Sequence, residues 1–198
     1  MAEPVSFDFT RTAVLSMDLQ TAIVSIYTQG EADFVTRAAG VLKAARDHRL
    51  SVFHVQVGFR PGLPEISSRN PLFSAIKNSL QHQQIFQGPG GAIHPAVAPQ
   101  GEDMVITKHR ISAFAGTDLD MILRAKEIET LILFGIATSG VVLSTLLHAV
   151  DADYRLLVVK DCCTDRDPEI HHCLMEKVFP RLATVLNTAE LIGALEAN

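Results

Sequence analysis

The feature that most constrains this chain is a series of short segments, apolar at nearly every position, alternating with longer stretches of helical periodicity. Residues 12–18, 51–57, 103–107, 130–135, 155–161 and 183–187 read as strands. A strand with one wet face alternates apolar and polar side chains. Strands that are apolar throughout must be covered on both faces, which is the condition of parallel strands held between helices. Amphipathic stripes fall between them: Phe34, Val35, Ala38, Val41, Leu42 and Ala45 mark a helix over 31–48, and Leu119, Ile122 and Leu123 mark one over 117–126. Residues 138–152 are apolar almost all round, as a heavily buried helix requires, and further helices are expected over 168–178 and 189–196. The expected fold is α/β: a three-layer α/β/α sandwich on a six-stranded, mainly parallel, doubly wound sheet with right-handed crossovers.

Composition limits what such a fold can be used for. A chain of 198 residues, 47% apolar and 20% charged, can bury one sizeable core, so 1–198 is expected to form a single domain. Residues 58–100 interrupt the rhythm with Pro61, Pro64, Pro71, Pro89, Pro95 and Pro99, an excursion of the kind that forms lids and binding loops, with a short helix expected within 72–80. The net charge is −5 and the basic residues are dispersed, which argues against a nucleic-acid partner. No apolar run approaches the ~20 residues of a membrane-spanning helix. The first residues have neither the basic nor the apolar region of a secretory signal. Cys162, Cys163 and Cys173 are too few and too crowded for a disulfide framework, so free thiols and a cytoplasmic location are expected.

In open parallel sheets, ligands bind outside the carboxyl ends of the strands, so polar residues there are the first candidates. Asp18 ends the first strand, Lys108 follows the third, and Thr138, Ser139 and Gly140 follow the fourth and open the buried helix. Each alone also suits a cap or a solvated strand end. Brought together, a carboxylate and an ammonium beside a helix N-terminus would form an acid/base pair next to an anion site. Phe59, Arg60, Gln20 and Phe114 are candidate pocket-wall residues from their places beside these strand ends. His54, inside the second strand, reads as a packed or hydrogen-bonded histidine, and the adjacent His171 and His172 face different sides of a helix and cannot chelate one ion. The Gly-Pro-Gly-Gly run at 88–91 is not followed by Gly-Lys-Ser/Thr and reads as a turn. Neither a cofactor nor a catalytic metal is expected.

Three stretches carry a family resemblance: residues 13–20 with Asp18 and Gln20, 108–119 opening on Lys108, and 131–138 ending on Thr138. In order and spacing they resemble the motifs of isochorismatase-like hydrolases, over about residues 11–192. The resemblance implies Asp18 and Lys108 as two members of an Asp-Lys-Cys triad. The third falls on Val141, six residues after Gly135, and valine has no nucleophilic atom. It also implies a non-proline cis peptide at Ile136-Ala137, with backbone N–H groups around Ser139 to Val141 turned toward a carbonyl or carboxylate oxygen. Relatives are dimers or larger, which implies a homo-oligomer. Some amide-cleaving relatives hold a metal through aspartate and histidines after the second strand, but residues 57–64 contain neither type.

Three readings follow. The chain could hydrolyse a small anionic metabolite without a covalent intermediate, with Asp18 as general acid or base, Lys108 as its electrostatic partner and water as nucleophile. True isochorismatases, which cleave a vinyl ether and also lack the cysteine, set the precedent, although glycine is their usual replacement. It could instead cleave amides or esters with a relocated thiol, Cys162 or Cys163. Ser144 lies roughly 4.5 Å further along the helix axis than Val141, too deep to substitute. Or it could bind a small molecule without catalysis.

Overall fold

The computed structural model describes residues 7–28 and 32–197. Six strands, β1 (Thr12–Met17), β2 (Ser51–Val57), β3 (Met104–Lys108), β4 (Thr130–Ile136), β5 (Arg155–Thr164) and β6 (Thr184–Leu186), form one sheet in the order β3-β2-β1-β4-β5-β6. Every pairing between these strands is parallel, so the sheet is wholly rather than mainly parallel. Every residue of β1 and β4 is buried, the burial expected of central strands covered on both faces. The strand order reverses between β1 and β4, which places the crevice of the doubly wound sheet at the ends of those two strands.

Nine α-helices are present among the described residues: α1 (Thr21–Thr28), α2 (Ala32–Asp47), α3 (Pro71–Lys77), α4 (Leu80–Gln84), α5 (Gly88–Gly91), α6 (Leu119–Ala125), α7 (Leu143–Asp151), α8 (Pro168–Cys173) and α9 (Thr188–Glu196). Their ends follow local chemistry. Asn70 and Asp167 cap α3 and α8, each with proline in the first turn, and Asn187 forms a reciprocal capping box with Glu190 at α9.

Several elements differ from their sequence pattern. Helix α1 follows Asp18 at once, where no helix was expected. The buried helix over 138–152 is broken: Thr138–Val142 forms a wide π-type turn in which Gly140 leaves helical geometry (φ −97°, ψ −106°), and α7 starts only at Leu143. The helix expected over 168–178 likewise widens after Cys173. Glu31, the expected start of α2, lies outside the described residues. The run at 88–91 forms the one-turn helix α5 rather than a simple turn. Strand β5 continues through Cys162 and Cys163, beyond its expected end at residue 161.

The excursion from 58 to 100 carries α3, α4 and α5 and a small apolar cluster of Leu63, Ile66 and Phe73, against which Phe59 and Ile76 pack. It is tied back to the sheet by backbone bonds on either side of Gln20: Thr21 N–H donates to Ala92 O (2.9 Å) and His94 N–H to Leu19 O (2.8 Å). Among the described residues no helix is long and apolar enough to cross a membrane.

Candidate active site

Asp18 leaves β1 in the left-handed region (φ 57°), a conformation that aspartate tolerates better than most side chains. Its N–H still bonds to Val55 O on β2 (2.8 Å), so the turn is anchored as the side chain swings off the sheet. Lys108 lies two strands away, opposite Val57, a separation of about 10 Å between β1 and β3. Only a long side chain can cover it. The lysine passes the end of β2, and its Nζ sits 2.9 Å from Asp18 Oδ2 and donates also to Arg110 O (3.1 Å). Asp18 is 5% exposed and Lys108 2%.

Burial pushes the Asp18 carboxyl up from its ordinary value of 3.8, against the charge and hydrogen bond of Lys108, which pull it down. The net direction is upward: this carboxyl holds its proton more tightly than a surface aspartate. Its second oxygen, Oδ1, is buried with no hydrogen-bond partner among the described residues. A buried carboxylate oxygen normally finds a donor, so Oδ1 is where an incoming proton would be taken or given.

Beside this pair, register sets Met17 against Gly135, which brings the end of β4 level with Asp18. The Ile136–Ala137 peptide is cis. Thr138 and Ser139 follow, and both are held by the segment after β5: Asp165 Oδ2 accepts the Ser139 N–H (2.8 Å), and Thr138 Oγ1 is 2.8 Å from His171 Nδ1. The Ser139 amide is thus already engaged by a carboxylate of the chain itself. Gly140 N–H bonds back to Ala137 O at 3.1 Å. Val141 is buried in the main core.

A family model described as the isochorismatase domain matches residues 12–190. The chain belongs to the isochorismatase family. It is therefore a hydrolase of that family. It is 30% identical over 199 residues to YwoC, an uncharacterized isochorismatase family protein of Bacillus subtilis, covering 97% of this chain and 98% of the other. It is 31% identical over 170 residues to maleamate amidohydrolase of Pseudomonas putida, covering 86% and 78%. The solved structure of an isochorismatase family protein from Burkholderia thailandensis matches with a TM-score of 0.80 at 29% identity, covering 96% and 98%.

The other candidates of this isochorismatase-family chain fall into different places. Gln20 is fully buried and spent on backbone: its amide nitrogen donates to Val57 O (3.0 Å) and Gly91 O (2.6 Å), and its oxygen accepts Val57 N–H (2.8 Å). It is a staple between β2 and α5 rather than a pocket wall. Phe114 stacks on His148 (4.4 Å between centroids) and lies near Tyr154, so it packs with the region around α7. Arg60 is paired with Glu65 (3.0 Å) within the excursion. Phe59 meets Phe73, Phe86 and the ring of His109, the residue after Lys108.

Cys162 and Cys163 are inside β5 and buried. Burial pushes the Cys162 thiol up to about 12, with its Sγ 3.3 Å from Thr188 Oγ1, and pushes Cys163 up as well. A nucleophilic cysteine needs the opposite shift. His54, in β2 opposite Ser16 of β1, has its Nε2 3.1 Å from Asp103, which is itself held by Arg46 at 2.6 Å. Burial lowers the His54 pKa, against the pull of Asp103. Among the described residues no three His, Cys, Asp or Glu side chains converge as metal ligands would. Two cavities, about 650 and 450 Å³, are not lined by Asp18 or Lys108. The larger lies where β2 and β3 begin, between Arg46, Arg49 and Lys126, and the smaller is in the excursion beside Phe59 and Arg60.

Sequence reasoning gave no site role to Asp165 or His171, which reach the turn after β4 from beyond β5, nor to Tyr27 on the unforeseen helix α1. Arg166 lies over the Tyr27 ring at 5.2 Å. The one local signal was Asp167-Pro168, which reads as a helix start and so marks where the preceding loop must turn back.

Proposed function

We propose that the chain hydrolyses a small, anionic substrate with Asp18 moving the proton and water, rather than a thiol, attacking. The observation that carries this reading is the buried Asp18–Lys108 pair, 2.9 Å apart, with Asp18 Oδ1 unpartnered. For an amide, Oδ1 takes a proton from water as the water oxygen bonds to the carbonyl carbon, whose π electrons move onto the carbonyl oxygen. As that oxygen reforms the double bond, the carbon–nitrogen bond breaks. The nitrogen leaves with the proton from Asp18, which restores the carboxylate.

A carboxyl raised by burial suits both halves of this cycle, because its anion is a stronger base and its acid form is populated nearer neutrality. Lys108 keeps the carboxylate in reach and, with two of its three N–H donors engaged, has a third for the substrate. Charge developing on the carbonyl oxygen is assigned to Lys108 and to backbone amides over 137–141 other than those of Ser139 and Gly140, which are engaged within the chain. The likeness to maleamate amidohydrolase supports an amide as the bond cleaved. A vinyl ether protonated by Asp18 while water adds would use the same acid.

Turnover of a panel of small amides, esters and vinyl ethers tests this. Asp18→Asn keeps the shape and removes the proton carrier, so kcat/KM is expected to fall by ~10²–10⁴. Activity within a few-fold of wild type in a folded Asp18→Asn protein would reject the reading.

A further inference from the structure

The segment that follows β5 reaches back to the turn after β4, and the register of the sheet explains how. Leu133 of β4 faces Val158 of β5, but Ile136 faces Thr164, three residues further along β5 than an unbroken ladder would give. Such an irregularity re-aims the end of a strand, and here it brings Asp165, the residue after Thr164, against the turn over 137–142. On the other side of β4, Gly135 faces Met17, the residue before Asp18. The turn therefore lies between Asp165 and the reacting carboxylate. The Tyr27 hydroxyl, pushed up chiefly by burial and lowered by Arg166, is raised further by both Asp165 and Asp18.

The first half of this turn has little internal support. Gly140 has left helical geometry, and the N–H groups of Gly140 and Val142 share one acceptor, Ala137 O, at 3.1 and 3.3 Å. The missing support comes from the segment Asp165 to His171. Asp165 Oδ2 accepts Ser139 N–H at 2.8 Å, and a bond to a charged acceptor is roughly twice as strong as a neutral one. Its Oδ1 faces Asp167 N at 3.5 Å, and Asp167 caps α8 through Glu169 N–H (2.9 Å) and Ile170 N–H (3.3 Å). His171, in that helix, has its Nδ1 2.8 Å from Thr138 Oγ1. Both ties thus come from one braced segment. A carboxylate close to a carbonyl oxygen that gains negative charge opposes that charge, so Asp165 contributes through the shape it imposes on the turn.

We propose that Asp165 is a positioning residue for the hydrolysis: by holding Ser139 N–H, with His171 on Thr138 as a second tie, it fixes the turn so that the amides left free face the substrate's carbonyl oxygen. This rests on Asp18 and Lys108 being the reacting centre. Asp165 acts through Ser139 and not on the reacting atoms. An uncharged oxygen acceptor of the same shape can do the same work, which separates this role from one that needs the charge.

Amide-resolved hydrogen exchange and steady-state hydrolysis of p-nitrophenyl acetate, in wild type, Asp165→Ala, Asp165→Asn, Thr138→Val and Asp18→Asn, test this. In Asp165→Ala the amides over 138–142 should exchange ~10-fold faster or more, while those of β1 and β4 are unchanged. Its kcat should fall ~10–10²-fold with KM within about threefold of wild type. Asp165→Asn should recover most of both, and Thr138→Val should show a smaller loss of the same kind. An Asp165→Ala chain with wild-type exchange in the turn, or with kcat equal to or above wild type, overturns the proposal, as does an Asp165→Asn chain as defective as Asp165→Ala. Asp18→Asn should lose turnover and keep wild-type exchange in the turn. If Asp18→Asn still turns over, the acid/base reading fails, whereas a loss in Asp165→Ala with recovery in Asp165→Asn would still support the positioning role.

Discussion

Alanine in place of Gly135 is expected to leave little folded protein, with a stability loss of at least ~4 kcal/mol, in the range that single substitutions rarely exceed. Gly135 has φ +146°, which side chains avoid, and it pairs with Met17 across the centre of the sheet. An added Cβ would come within 2.8 Å of the Met17 carbonyl carbon and would overlap the carbonyl oxygen. The obstacle is backbone held in a parallel ladder on both sides, so it cannot swing away as a flexible side chain would. Relief requires β1 and β4 to part, and Met17 is the residue before Asp18. Against a total stability of ~5–15 kcal/mol the loss is most of the fold. Urea unfolding of Gly135→Ala beside Gly193→Ala checks this, because the space around Gly193 in α9 is open and alanine there should be neutral or stabilising by up to ~1 kcal/mol. Comparable stability of the two variants would refute the steric argument.

Lys108→Met should lower kcat/KM near neutrality by ~10²-fold or more and move the acid limb of the pH profile upward. Both influences that pull the Asp18 carboxyl down come from Lys108, while burial remains. Removing the lysine therefore raises the carboxyl further, and a larger share is protonated when the reaction needs the base. The sign for stability follows from linkage. A carboxyl raised on folding binds more protons in the native state, so its favourable contribution is complete below the ordinary value of 3.8 and is lost as pH rises through the folded value. The same slope is expected in wild type and should steepen in Lys108→Met, which should lose ~3–5 kcal/mol once the buried carboxylate must ionise alone. Denaturant melts at a series of pH values, with pH–rate profiles beside them, decide the matter. A variant whose stability loss is the same at every pH would show that Lys108 contributes packing alone.

Much of the fold was legible because the decisive pattern is local. Unbroken apolar strands such as 130–135 state their own burial, and Asp18 and Lys108 stand at strand ends where any polar residue invites notice. That Val141 falls where the resemblance implies a cysteine follows from a six-residue count from Gly135 alone. What failed to show is what depends on partners far along the chain. Gln20 looked like a free amide beside Asp18 until Val57 and Gly91 arrived to occupy it. Phe114, from the lysine motif, is claimed by His148, which belongs to α7. The break at Gly140 was hidden by apolar neighbours that would suit an unbroken helix, and what stabilises the turn is Asp165, a carboxylate 26 residues away. Cys162 and Cys163 fall just beyond the strand expected over 155–161, where a thiol would stay accessible. Three more residues of strand bury both thiols and, through burial, remove their reactivity.

Thiols as buried as Cys162 and Cys163 escape alkylating reagents whatever their role, so substitution reports on them where chemical modification does not. The most direct measurement is the steady-state turnover of a cysteine-free chain, Cys162→Ala, Cys163→Ala and Cys173→Ala combined, beside Asp18→Asn, with the fold of each verified by circular dichroism. Hydrolysis driven by Asp18 with water as nucleophile predicts that the cysteine-free chain keeps kcat/KM within about threefold of wild type while Asp18→Asn loses ~10²–10⁴. A folded cysteine-free chain that has lost its activity, or an Asp18→Asn chain that has kept it, would contradict the account.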